Sequence, residues 1–211
     1  MPTVHTLVLF FGAALILAVM PGPGLFYVVG RTLAAGRRDG LASCLGTMLG
    51  GLVHVAAGAV GVSALLMASA EAFTVLKIAG GLYLIFLAVQ SWRSANAPAT
   101  GIETPGRSGF SRALRQAIIV EATNPKTAAF FLALIPQFVD PGRGLVACQF
   151  AIFGLISVTL NTGMDLIAVG AASSLRRKFA PGHRLLPRLR KSSAVMLGGL
   201  GVYFLLARRP V

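Results

Sequence analysis

Acidic residues are scarce in this chain: six Asp and Glu stand against nineteen Lys and Arg in 211 residues, and only 12% of positions are charged. With 55% hydrophobic residues and a mean hydropathy of +0.78, it is too apolar for an ordinary soluble domain. A net charge of +13 would suit nucleic acid in a soluble protein. Here the basic residues are banded between apolar blocks, so the implied partner is a lipid bilayer and not nucleic acid. Cysteine is nearly missing, and Cys44 and Cys148 form no CxxC pair. The three histidines, His5, His54 and His183, are scattered. No HExxH, no paired catalytic aspartates and no His/Cys ligand cluster occurs, which argues against an intramembrane enzyme or a metal permease and implies no metal or cofactor. Residues 1–6 carry no Lys or Arg, and no small-residue cleavage pattern follows the first apolar run. That run is expected to be a retained membrane helix, not a signal peptide.

What is present is a set of six long apolar segments: 7–29, 41–68, 73–91, 117–139, 145–173 and 192–207. About 20 residues cross the ~30 Å hydrocarbon core. The second and fifth segments are long enough to tilt. The sixth, between Lys191 and Arg208, is short and needs local thinning or snorkelling arginines. The stretch 94–109, rich in Ala, Ser, Pro and Gly, reads as a connecting loop. Arg31, Arg37 and Arg38 fill the first loop, and Arg93, Arg107, Arg112 and Arg115 mark the third. Seven Lys and Arg between Arg176 and Lys191 crowd the fifth. Cytoplasmic loops carry the excess of Lys and Arg, so loops one, three and five are assigned to the cytoplasm and both termini to the outside. Arg208 and Arg209 run against that assignment.

Two of the apolar segments contain prolines at matching places, Pro21-Gly22-Pro23 and Asn124-Pro125-Lys126. An interior proline removes one helical hydrogen bond and clashes with the carbonyl four residues back. In hydrocarbon the freed carbonyl is costly unless it lines a cavity or meets a partner. Paired breaks of this kind mark the binding sites of transporters. An offset of 104 residues carries Pro21 to Pro125, Cys44 to Cys148 and Gly50 to Gly154; an offset of 118 carries Gly80-Gly81-Leu82 to Gly198-Gly199-Leu200. Three helices per half is an odd number, so the second half inserts upside down. The expected fold is therefore an all-α integral membrane protein of six transmembrane helices. It is arranged as a 3+3 inverted repeat with proline-broken first and fourth helices: 1–93, a cytoplasmic connection at 94–110, and 111–211.

With Pro21-Gly22-Pro23-Gly24 ending the first run, a glycine-bearing second helix, and Asn124-Pro125-Lys126 followed by Phe130-Phe131-Leu132 and Pro136-Gln137-Phe138, the chain resembles the LysE/RhtB family of bacterial amino-acid exporters. The resemblance spans essentially the whole chain; the Asn-Pro-Lys…Pro-Gln-Phe run is its specific part. It implies ion-gradient-driven export of amino acids or close derivatives across the cytoplasmic membrane. The fifth helix and the long basic loop match no family motif, so the substrate is not carried over.

The residues themselves suggest a site. Asn124 as N-cap and Pro125 at the first helical position would open a half-helix in mid-membrane, with unpaired N–H groups and a positive dipole end suited to a carboxylate. Lys126 adds a charge there or snorkels away. A plain helix kink, with the Glu121 carbonyl satisfied locally, is the alternative. Pro21 and Pro23 free the carbonyls of Leu17 and Val19 for a substrate ammonium, and Gly22 and Gly24 let another group approach; a packing kink is the alternative. Glu121 and Asp165 are carboxylates inside the membrane, and such groups are costly and functional by default. Glu121 is assigned to ion coupling, against an ion pair with Lys126 or Arg115. Ser157, Asn161 and Asp165 form one polar stripe on the fifth helix, placing Asn161 at the substrate and Asp165 among the coupling groups. His54 shares a face with Gly46, Gly50 and Gly58, where small residues mark close helix contact. It either carries a proton or is a hydrogen-bonded packing residue. The partners expected are an amino-acid-like solute and lipid, and a homo-oligomer stays open. The alternative class, a membrane thiol-redox protein using Cys44 and Cys148, is disfavoured because an inverted repeat places the two cysteines on opposite sides of the membrane, whereas a disulfide needs Cα atoms within about 7 Å.

Overall fold

The computed structural model describes residues 2–64, 70–93 and 109–175, with 191, 195, 198, 199 and 202 beyond them. The expectations for the connection at 94–108, the basic loop at 176–190 and most of the sixth segment lie outside the described residues. All regular structure among the described residues is helical.

Helix α1 (Val4–Val19) opens on Thr3, whose Oγ1 accepts the Thr6 N–H at 3.1 Å. It ends at Met20, which is extended because the following proline disfavours helical backbone. Pro23 then occupies the first turn of α2 (Pro23–Ala35). That helix stops at Gly36, whose φ of 98° a side chain would resist. Helix α3 (Arg37–Ala57) continues through a π-helical turn at Gly58–Val62. Helix α4 (Ala70–Arg93) covers the third predicted segment. In the second half, α5 (Phe110–Ala122) breaks at Thr123-Asn124 into α6 (Pro125–Ala133) and the single turn α7 (Ile135–Phe138). Helix α8 (Val146–Leu175) follows.

Two stretches are long and apolar enough to span a bilayer unbroken, Arg37–Gly61 and Val146–Ser174. Two bent pairs qualify when each is taken as one span: α1 with α2, bent by 47°, and α5 with Pro125–Phe138, bent by 45°. The near-equal bends fall at the two proline breaks. The first loop is shorter than its arginines suggested. Arg31 lies within α2 and is 1% exposed, its Nη2 4.0 Å from Asp39 Oδ2 and its guanidinium 5.8 Å from the Tyr27 ring. Arg31 thus stands inside the helix, which runs on to Gly36, and not in the loop.

The glycine face of α3 packs against α5. A Cβ on Gly46 would strike the Leu114 carbonyl oxygen and lie 2.5 Å from Ala117 Cβ, and one on Gly50 would lie 2.8 Å from the Ile118 carbonyl oxygen. Toward α8 the fit is reciprocal: Gly51 faces Val158, and Gly154 faces Val55. Rings from α1, α6, α7 and α8 close the core, with Phe10 and Phe153 centroids 4.7 Å apart and Phe10 and Phe138 edge to face at 5.2 Å. Because rigid backbone meets Gly46, Gly46→Ala is expected to cost about 1–3 kcal/mol, the usual range for overpacking. It should lower the melting temperature of the detergent-purified protein by several degrees. A variant melting with the parent would mean that α3 and α5 are not held at this spacing.

Candidate functional site

The second break is built from side chains. Asn124 Oδ1 accepts the Lys126 N–H at 3.0 Å and so caps α6. Its Nδ2 donates to Glu121 Oε2 at 2.9 Å, while Glu121 Oε1 accepts the Thr127 hydroxyl at 2.6 Å. Glu121 thereby ties the last turn of α5 to the first of α6, and each carboxylate oxygen has a donor. No ion pair within 4.0 Å joins Glu121 to Lys126 or Arg115 among the described residues. The Glu121 carbonyl accepts the Asn124 N–H at 3.0 Å and also receives His54 Nε2 from α3 at 2.9 Å. A carbonyl only accepts, so Nε2 carries the hydrogen. His54 therefore braces the break, with its ring 5.6 Å from Phe131.

The first break is built from backbone. At this break the Leu17 carbonyl accepts the Met20 N–H at 3.1 Å, and the carbonyls of Leu17 and Met20 share one further donor. Their occupant comes from the other half of the chain: Lys126 Nζ donates to the Leu17 carbonyl at 3.2 Å and to that of Met20 at 2.8 Å. Lys126 is buried and does not snorkel. The two glycines admit this crossing. A Cβ on Gly22 would lie 3.0 Å from Lys126 Cδ, and one on Gly24 would strike Glu121 Oε2.

Helix α8 supplies the third wall. Asp165 Oδ2 accepts the Thr47 hydroxyl of α3 at 2.7 Å, and Asn161 Nδ2 donates to the Ser157 carbonyl at 2.9 Å. Among these parts lies a cavity of about 30 Å³. Of the residues singled out in the sequence, Gly22, Gly24, Glu121, Asn124, Lys126, Asn161 and Asp165 line it, whereas Pro21, Pro23, Pro125 and His54 do not. Thr47 and Thr127 also line it and were not anticipated. A threonine in an apolar run carries no distinguishing mark, since its hydroxyl is ordinarily satisfied by its own helix. The ionisable groups at the cavity are Glu121, Asp165 and Lys126, set among apolar walls such as Met48, Phe131 and Val158. One ammonium, two carboxylates, hydroxyls and an amide can engage both ends of a small zwitterion. A space of this size holds only a water or two, so solute entry requires the walls to part.

The two cysteines stay apart. Cys44 is buried and its Sγ lies 3.7 Å from the Thr162 carbonyl oxygen, whereas Cys148 is exposed. Thr162 is fourteen residues beyond Cys148 on the same helix, about 21 Å at 1.5 Å per residue. That separation is far beyond disulfide reach.

Two bent, proline-broken helix pairs enclosing a small charged cavity define a multi-pass membrane protein of the translocator class. The chain belongs to the LysE family: the model for the LysE type translocator matches residues 15–208. It is 30% identical over 205 residues to an uncharacterized membrane protein of Vibrio cholerae, covering 97% of this chain and 98% of that one. It is 33% identical over 167 residues to a homoserine/homoserine lactone efflux protein of Salmonella typhimurium, covering 78% and 77%. It is 27% identical over 212 residues to the threonine efflux protein of Escherichia coli, covering 96% of this chain and all of that protein. No solved structure matches the chain.

Proposed function

We propose that this protein is a secondary-active exporter of small amino acids or close derivatives across the bacterial cytoplasmic membrane, driven by proton or ion exchange. The observation that carries this reading is the convergence of Glu121, Asn124, Lys126, Asn161 and Asp165 from three helices on one cavity between the two breaks. The homoserine and threonine efflux relatives support the same substrate class. The substrate carboxylate is directed to the α6 N-terminus, where a half-helix presents its positive end, and to the remaining N–H of Lys126. The substrate ammonium is directed to Glu121 and Asp165. The six-span 3+3 inverted repeat, with both termini outside, supplies alternating access by rocking one half against the other.

The test is uptake into inverted vesicles from cells making the protein, using labelled threonine, homoserine and a panel of other amino acids. Accumulation of at least one of them should exceed empty-vector vesicles several-fold when the vesicle interior is acidified and collapse when the pH gradient is dissipated. If none is taken up while a resident transporter in the same vesicles works, the exporter reading is wrong.

A further inference from the structure

We propose that the carbonyl oxygens of Leu17 and Met20 form a site for a small monovalent cation, and that the Lys126 ammonium fills it as a tethered stand-in for a free ion. Carbonyls bared by an unwound membrane helix are the groups that coordinate cations in broken-helix transporters. Here two carbonyl oxygens at the break, that of Leu17 also accepting the Met20 N–H, converge on one point, and a buried ammonium sits there at 2.8 and 3.2 Å. The lysine reaches them from the opposite break, across 106 residues of sequence, over a glycine whose Cβ would crowd its stem. Its charge is not spent on an ion pair: neither Glu121 nor Asp165 comes within 4.0 Å of its nitrogen among the described residues. Both carboxylates nonetheless line the same cavity. Without Lys126 the cavity would hold two carboxylates beside the Met20 carbonyl and no cation, an arrangement that attracts a free one in a low-dielectric setting. The lysine thus removes the need for a metal ion. Movement of its ammonium off the carbonyls takes the place that ion release holds in an ion-coupled carrier.

The first measurement needs no transport. The parent and Lys126→Ala are purified in detergent and melted in choline, sodium, potassium or ammonium chloride at equal ionic strength. The parent should melt at one temperature in all four. Lys126→Ala should melt lower in choline and recover by roughly 2 °C or more in at least one small cation, saturably, as expected for a ligand that binds only the folded state. Recovery of monodisperse Lys126→Ala only when a small cation is present is the same result in stronger form. Equal melting of the variant in all four salts overturns the proposal. So does a cation response shared by the parent, or failure to recover the variant in any salt.

The second measurement rests on the exporter reading. Vesicle uptake by the parent should be unchanged when sodium and potassium are replaced by choline, whereas Lys126→Ala should gain at least a tenfold dependence on the cation that stabilises it. A parent that requires sodium overturns the proposal. If no amino acid moves with either protein, the exporter reading fails while the melting result still decides the cation site.

Discussion

Asn124→Leu should lower export by tenfold or more while leaving protein in the membrane. The side chain works at both ends: Oδ1 caps α6, and Nδ2 holds one oxygen of the Glu121 carboxylate. Losing a cap costs about 1 kcal/mol, and losing a hydrogen bond to a charged group costs roughly 1.5–3 kcal/mol. Part of that cost falls on stability. The part that matters for transport is Glu121, which would lose the donor that aims it and swing away from the cavity. Since ~1.4 kcal/mol is a factor of ten, somewhat more than half of a total of roughly 2.5–4 kcal/mol accounts for the predicted loss. The control is Asn124→Ser, which keeps an oxygen acceptor at the cap but cannot reach Glu121. It should melt closer to the parent than Asn124→Leu does and still export poorly. Rates are read as initial uptake in inverted vesicles, normalised to protein per vesicle. Parent-like uptake by Asn124→Leu at equal abundance would make the break structural and remove it from the site.

The breaks were legible because they are written in local backbone chemistry. Pro21 to Pro23 forbid a continuous helix whatever surrounds them, and Asn124-Pro125 is a helix start by cap and ring geometry alone. The glycine face of α3 was legible for a similar reason, since four-residue spacing fixes a shared side and small residues need a close partner. Not legible were the features that depend on which side chains meet in space. Charge alone places Arg31 in a loop; its place inside α2 rests on Asp39 and the Tyr27 ring beside it. The carbonyls at the first break were read as vacant. Their filling by Lys126 depends on the angle at which two bent pairs cross, which no spacing encodes. His54 was left between a proton carrier and a packing residue. Its bond to the Glu121 carbonyl gives the plain-kink alternative its due: that carbonyl is satisfied locally by the Asn124 N–H and again by a neighbouring helix.

The two halves also divide the labour unevenly. The first break offers only backbone oxygens and glycines, whereas the second offers Glu121, Asn124, Lys126 and Thr127. At the 104-residue offset, Glu121 corresponds to Leu17 and Lys126 to Gly22. The two breaks therefore match in backbone path and not in chemistry. An asymmetric solute with a different charge at each end calls for such a division, because two identical breaks would present it with two identical sets of groups.

Asp165→Asn should separate coupling from binding. Asp165 lies on α8, one turn beyond Asn161, and accepts the Thr47 hydroxyl from α3 at 2.7 Å. Glu121 from α5 and Lys126 from α6 line the same cavity, and Cys44 lies on α3 one turn before Thr47. An asparagine keeps the shape, and its amide oxygen still accepts from Thr47, so the fold and the wall of the cavity should survive. What it loses is a carboxylate able to take and release a proton. If that exchange couples export to the proton gradient, the variant should swap internal for external labelled substrate within about threefold of the parent rate. It should fail to accumulate substrate when the vesicle interior is acidified, with the gradient-driven component reduced at least tenfold, or ~1.4 kcal/mol in effective driving force. Both are measured on one preparation, the first with substrate on both sides and no gradient, the second with a gradient imposed. Accumulation at the parent level would take the coupling role away from Asp165 and leave Glu121 as the carboxylate to test next, as Glu121→Gln. That substitution preserves one acceptor for Asn124 and offers Thr127 an N–H to accept, so it too removes charge without emptying the network.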